Sequence, residues 1–154
     1  MSRVGRPQLE NLAKVGKLKR QPVNEQEILG LWRSGIVRFA DAQRPDLSLE
    51  SRFDLADNAA HSLALAALRR EGYRSESRYL VFQCLVHTLG LPTEQWRVLD
   101  QAHRRRNLAE YEGEIEVDTA LLEALLRVTR EVAQGLERHL PGERDKDFAS
   151  EAGR

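Results

Sequence analysis

The sequence contains a single cysteine, Cys84, and only five prolines in 154 residues. One cysteine excludes an internal disulfide and any metal site that is built from several cysteines. No window approaches the roughly 18 continuous apolar residues that a membrane span needs. The beginning of the sequence also lacks an apolar stretch typical of a signal peptide. We therefore expect a cytoplasmic protein.

Several functional signatures are missing as well. There is no nucleotide-binding glycine loop, zinc-ligand spacing, serine-nucleophile elbow or flavin signature. These absences argue against a dehydrogenase, a P-loop protein or a metallohydrolase, and we expect neither a cofactor nor a metal. The formal net charge is zero, with 24 basic and 24 acidic side chains. Overall charge therefore indicates nothing about nucleic acid, although residues 1–20 carry six basic side chains and one acid, Glu10.

Apolar residues recur at helical spacing in blocks that proline, glycine and capping residues separate. The clearest block begins at Ser48 and ends at Gly72, and it carries one narrow, alanine-rich apolar stripe. Further blocks begin at the candidate capping residues Asn24 and Ser75 and, later in the chain, at Thr93 and Asp118. The connections are short and no segment alternates as a strand does. This pattern predicts an all-α protein, an up-and-down bundle of four to six helices.

The sequence divides into three predicted parts. Residues 1–23 form a basic N-terminal arm with a short helix over Pro7–Val15 and a loop over Lys17–Val23. Residues 24–140 form the helical bundle, in which Gly35 would let a neighbouring helix approach closely. Residues 141–154 are charged and lack periodicity, so we expect a disordered tail.

Arg106 stands out in the polar segment Asp100–Tyr111. At about 100° per residue it falls between Leu99 and Ala102, on the apolar stripe of its own helix. A guanidinium at a helix interface is unfavourable unless a carboxylate or a phosphate pairs with it.

The sequence is compatible with two kinds of partner for Arg106. A carboxylate such as Asp54 or Asp57 would make it part of a structural ion pair, whereas a phosphate would make it functional. The adjacent Arg104 and Arg105 point away from the stripe and are expected in solvent.

A second polar patch flanks the apolar stripe of the clearest helix. Asp54, Asp57, Asn58 and His61 share one side of that helix through their spacing. Such a side is commonly the solvent face of an amphipathic helix, which is our expectation for Asp54. Alanines surround Asn58 and His61, and this setting makes these two residues candidates for a site. A lone histidine, however, is more often structural than catalytic.

Two segments resemble the HEPN superfamily, helical nucleotide- and RNA-associated domains of prokaryotes. They are Ser-Arg-Phe-Asp-Leu-Ala-Asp-Asn-Ala-Ala-His over Ser51–His61, and Arg-Arg-Asn-Leu-Ala-Glu-Tyr over Arg105–Tyr111. The similarity spans roughly residues 8–137 in the same helix order. It implies a four- or five-helix bundle that usually dimerises. In active members of the superfamily, an arginine that is commonly followed by asparagine pairs with a histidine beyond four to six intervening residues. These residues meet their symmetry mates at the dimer interface and cleave RNA without a metal.

Arg106 and Asn107 match the first half of that motif, whereas Tyr111 stands where the histidine would be in its shortest form. A histidine exchanges protons near neutral pH with an ordinary pKa of about 6.5, whereas tyrosine has a pKa of about 10. The resemblance therefore implies Arg106, Asn107 and Tyr111 as catalytic candidates, with His61 as a possible replacement for the histidine. The candidate nucleic-acid-binding residues are Arg104, Arg105, His103 and Asn58.

Three functions fit these observations. The first is an RNA-directed protein, a metal-independent ribonuclease or a toxin-like component of a toxin–antitoxin or defence system. The second is a non-catalytic module that binds RNA or a nucleotide, or docks an antitoxin or a nucleotidyltransferase-like partner. The third is a purely structural role. The resemblance also implies a homodimer.

Overall fold

The computed structural model describes residues 5–112 and 118–140, and it describes residues 110–112 through their backbone only. The described residues are mainly helical, which confirms the all-α prediction. The elements are α1 (Arg6–Lys14), β1 (Lys19–Arg20), α2 (Glu25–Ala42), α3 (Leu49–Arg70), β2 (Tyr73–Arg74), α4 (Arg78–Gln83), α5 (Leu85–Thr88), α6 (Thr93–Glu112) and α7 (Thr119–Glu137).

Helix starts lie close to the block starts that the sequence predicted, and three of those residues act as caps. Asn24, Ser48 and Asp118 each accept a hydrogen bond from a backbone N–H of the first turn, at 3.1, 3.1 and 2.9 Å. The block predicted from Ser75 differs, because Ser77 is the actual N-cap. The single helix predicted there is two helices in the structure, α4 and α5, which meet at Cys84.

Helix α3 lies at the centre of the bundle and contacts α2, α4, α6 and α7. Its alanine stripe is buried together with Leu63, Leu65 and Leu68, and the small alanines let α2 pack closely against it. The prediction for Gly35 is confirmed: a methyl group added there would lie 2.6 Å from Leu63 Cγ. No helix among the described residues is long and apolar enough to cross a bilayer.

A two-stranded antiparallel sheet pairs Lys19 with Arg74 and Arg20 with Tyr73, so the prediction of a loop over Lys17–Val23 is wrong in part. Two-residue strands have no periodicity that a sequence pattern could show. The pairing is held by Arg69, which is fully buried at the end of α3.

Arg69 donates to three acceptors on the segments that flank the sheet. Its guanidinium lies 3.1 Å from the Gln21 carbonyl, 2.6 Å from the Pro22 carbonyl and 2.6 Å from the Glu27 carboxylate. The Arg69 guanidinium also lowers the pKa of Glu27 below its ordinary value.

The N-terminal segment lies against the bundle. Leu9 and Ala13 of α1, and Leu18 beyond it, are buried in the same core as the later helices. Residues 1–4 and the predicted tail over 141–154 lie outside the described residues.

Candidate functional site

The sequence-predicted polar residues of α3 and α6 converge on one buried carboxylate. Asp57 of α3 is fully buried, and its Oδ2 accepts hydrogen bonds from Arg78 Nη1 at 3.1 Å and from His103 Nδ1 at 3.0 Å. Arg106 Nε lies 3.9 Å from the same oxygen. We call Asp57, Arg78, His103 and Arg106 the Asp57 cluster.

Local sequence explains how three helices deliver these side chains. Asp54, Asp57 and His61 recur at spacings that keep them on one side of α3, and His103 and Arg106 do the same on α6. Arg78 is the first residue of α4, immediately after the Ser77 cap, so its side chain projects from a helix end.

Asp57 fixes the orientation of the His103 ring. His103 Nδ1 lies nearer to the carboxylate, at 3.0 Å, than to Arg78 Nη1, at 3.5 Å, which assigns the proton to Nδ1. Asn107 Nδ2 lies 3.2 Å from Nε2 and donates to it. In this arrangement Nδ1 donates to Asp57, and Nε2 faces the Asn107 amide at the outer edge of the ring.

Arg106 contacts both of the carboxylates that the sequence analysis named as structural partners. Its Nε bonds to Asp54 Oδ1, in addition to its contact with Asp57. The Asp54 side chain is 47% exposed and that of Arg106 is 25% exposed. The Asp54 side of the pair is open to solvent, so an incoming anion can compete with Asp54 for the Arg106 guanidinium.

Asn58 and His61 lie beside the cluster. Asn58 Oδ1 accepts from Arg78 Nη2 at 3.4 Å. His61 stands edge-on to Phe82, with ring centroids 6.3 Å apart. Burial, and then the positive charge of Arg78, lower the pKa of His61 to about 4. His61 is therefore neutral at pH 7 and is a weak base, so the geometry favours His103 for proton transfer.

The remaining predicted residues lie elsewhere. Arg104 and Arg105 are exposed, as predicted, and Arg104 donates twice to Asp100 at 3.0 and 2.6 Å. Tyr111 belongs to α6, but its side chain lies outside those that the structure describes, so its predicted role stays a prediction.

Sequence reasoning missed Arg78 and named Asp57 only as a partner. Arg78 precedes the apolar run of α4 and gives no periodic signal, since that helix has only six residues. Burial of Asp57 likewise depends on how α4 and α6 cross α3. Its second oxygen, Oδ1, is buried and has no hydrogen-bond partner among the described residues. Buried, unsatisfied polar atoms are uncommon and often mark a functional position.

No group of three or more histidine, cysteine or acidic side chains is placed to hold a metal ion in the described part of the chain. Comparisons with protein-family models, with curated proteins and with solved structures gave no match. The resemblance to the HEPN superfamily therefore rests on the sequence motifs alone and stays a prediction.

Proposed function

We propose that the chain is an RNA-directed, HEPN-like protein that binds an RNA phosphodiester at the Asp57 cluster and cleaves it without a metal. One observation supports this function above the others. A buried carboxylate orients His103 while two guanidiniums stand beside the same carboxylate. Such an arrangement combines a base with two phosphate-binding groups. The protein would act in the cytoplasm, where its substrate is found.

Arg106 and Arg78 hold the phosphate in this proposal. Guanidiniums bind phosphate through two parallel N–H donors, and Arg106 is the more available of the two because its Asp54 partner is half-exposed. Asn107 donates to Nε2 of His103 in the unliganded site and can turn its amide to the phosphate.

His103 moves the proton. Its Nε2 takes the proton of a ribose 2′-hydroxyl, whose oxygen then bonds to the adjacent phosphorus. The bond between phosphorus and the 5′ oxygen breaks, and that oxygen receives a proton from His103 through water. The products are a 2′,3′-cyclic phosphate and a 5′-hydroxyl. Asp57 stabilises the imidazolium that forms in between, as a carboxylate behind a histidine does in other enzymes.

The test is an RNA assay in EDTA that scores cleavage and binding for wild type, Arg106→Ala and His103→Gln. A general base contributes roughly 100- to 10,000-fold, so we expect His103→Gln to slow cleavage by about that factor while binding persists. Arg106→Ala should weaken both activities. Arg33→Ala is the matched control, since Arg33 is exposed on α2, away from the cluster. Activity of His103→Gln equal to that of the wild type would refute the catalytic role.

A second candidate function is non-catalytic binding. Two ion pairs support it, Arg106 with Asp54 and Arg78 with Asp57. Their charges balance, so the folded site needs no substrate to neutralise it. RNA binding without turnover, weakened by Arg106→Ala, would be its result. Capture of an antitoxin or nucleotidyltransferase-like partner would instead indicate a docking module.

The proposal includes a homodimer, because members of the superfamily that the sequence resembles usually pair their sites across a dimer interface. Sedimentation of the purified protein tests this point. A monomer at the concentrations used for the RNA assay would remove the paired-site mechanism. Growth arrest on expression, relieved by His103→Gln, would support the toxin-like role.

A further inference from the structure

A groove of about 900 Å³ lies on the other side of α6 from the Asp57 cluster. Tyr79, Trp96 and Leu108 line it together with Arg97, Arg104 and Arg105. Tyr79 and Leu108 are 47% and 51% exposed, so both offer apolar surface to a ligand. The groove therefore combines aromatic and aliphatic surface with three cations.

Tyr79 is held in place by a buried neighbour. Its ring meets Trp96 edge-on, with centroids 5.5 Å apart and planes at 82°, and Trp96 is only 4% exposed. A ring that is fixed at its edge and half-exposed loses little freedom when a flat ligand stacks on it. The guanidinium of Arg97 lies 5.8 Å from the Trp96 centroid and adds a second planar group at the same end.

The charges in the groove favour an anionic ligand. Asp100 is almost fully buried and is already engaged by Arg104. Asp118, the other acid of the lining, caps α7 through a bond to the Ala120 N–H at 2.9 Å. Both carboxylates are thus engaged within the protein, whereas Arg97 and Arg105 are exposed.

The groove and the Asp57 cluster are adjacent through the chain. Arg78 belongs to the cluster and the next residue, Tyr79, lines the groove. On α6, His103 belongs to the cluster and the next residue, Arg104, lines the groove. Because the groove and the cluster lie on different sides of α6, a strand that contacts both has to pass round that helix.

We propose that this groove binds an unpaired base of single-stranded RNA, stacked on Tyr79, while Arg97 and Arg105 contact the neighbouring phosphates. This inference rests on the proposed function and specifies its substrate as single-stranded RNA. Base stacking on an aromatic side chain requires an open base face, which a duplex does not offer. The exposed Arg97 and Arg105 favour a ligand that carries phosphates over a purely apolar one.

The test measures the dissociation constant of a single-stranded RNA oligonucleotide, and of the same sequence in a duplex, by fluorescence anisotropy. Stacking contributes about 1–3 kcal/mol per base, so Tyr79→Ala should weaken single-strand binding about 5- to 140-fold. Tyr79→Phe keeps the ring and should bind as the wild type does. Val37→Ala is the control, since Val37 is a similarly exposed apolar side chain on α2. Thermal melting checks that each variant is folded.

The outcomes separate the two proposals. Binding that falls with Tyr79→Ala but not with Tyr79→Phe, and that prefers single strands, supports the groove. RNA binding that is lost with Arg106→Ala but unchanged by Tyr79→Ala overturns the groove and leaves the cluster. Binding that depends on Tyr79 but not on Arg106 supports the groove and overturns the cluster. A wild type that binds no RNA overturns both, as does a dimer that Tyr79→Ala dissociates without any RNA binding.

Discussion

The same substitution at two glycines of α2 should have different effects on stability. Gly30 is exposed, and a methyl group added there meets no atom within 4 Å. Gly30→Ala should therefore stabilise the protein by roughly the difference in helix propensity, about 0.8–1 kcal/mol. Gly35 is buried, and its added methyl would lie 2.6 Å from Leu63 Cγ and 2.7 Å from Cδ2.

The clash at Gly35 has to displace a packed side chain. Leu63 is fully buried, so it can move only by disturbing the contact between α2 and α3. Overpacking of this kind costs about 1–3 kcal/mol. Since the propensity gain is the same at both sites, the free energies of unfolding of the two variants should differ by about 1–3 kcal/mol.

Urea denaturation measures the difference, provided that the m-values agree. A double-mutant cycle supplies the control: Leu63→Ala removes the clashing atoms, so Gly35→Ala should cost much less in that background. Equal stabilisation by Gly30→Ala and Gly35→Ala would refute the close packing of α2 on α3.

Three further predictions concern charged and titratable side chains. Arg69→Met should cost about 3–5 kcal/mol in urea denaturation, because a fully buried guanidinium loses its bonds to Glu27 and to the Gln21 and Pro22 carbonyls. Arg70→Met, on the partly exposed neighbour, should cost less, and equal costs would contradict the role of Arg69 in holding the strands together. Burial lowers the pKa of His61 to about 4, so between pH 6.5 and pH 4 this histidine is protonated in the unfolded chain but not in the folded protein. Over that range the free energy of unfolding of the wild type should fall by on the order of 2–3 kcal/mol relative to that of His61→Gln. Parallel pH profiles of the two proteins would exclude this linkage. Arg78→Ala should cost about 3–5 kcal/mol and Arg106→Ala less, because Arg78 bonds to the fully buried Asp57 at 3.1 Å whereas Arg106 lies 3.9 Å from it; thermal melts or urea titrations would show the difference.

Sequence patterns predicted those features that depend on neighbours along the chain. The caps at Asn24, Ser48 and Asp118 were predictable because a short polar side chain satisfies backbone donors two or three residues away. The spacing on α6 likewise placed Arg106 on the apolar stripe of that helix. These signals need no knowledge of how the helices cross.

The features that were missed depend on contacts between distant residues. Arg69 joins segments 47 and 48 residues apart, and the strands that it holds are too short to show a pattern. Arg78 reaches Asp57 across 21 residues and His103 reaches it across 46. Such meetings are set by the crossing of α3, α4 and α6, which an apolar stripe alone does not determine.

The two roles that the sequence left open for Arg106 are compatible, and Arg78 shows why. A fully buried carboxylate needs a donor whether or not a ligand is present, and Arg78 and His103 both bond to Asp57 at hydrogen-bond distance. Arg106 stands farther from Asp57, at 3.9 Å, and bonds instead to the half-exposed Asp54. Its ion pair is therefore one that the fold can lose, which is the property a phosphate-binding arginine requires. Should Arg106→Ala prove as destabilising as Arg78→Ala, Arg106 is structural, and a loss of RNA binding in that variant would report unfolding rather than recognition.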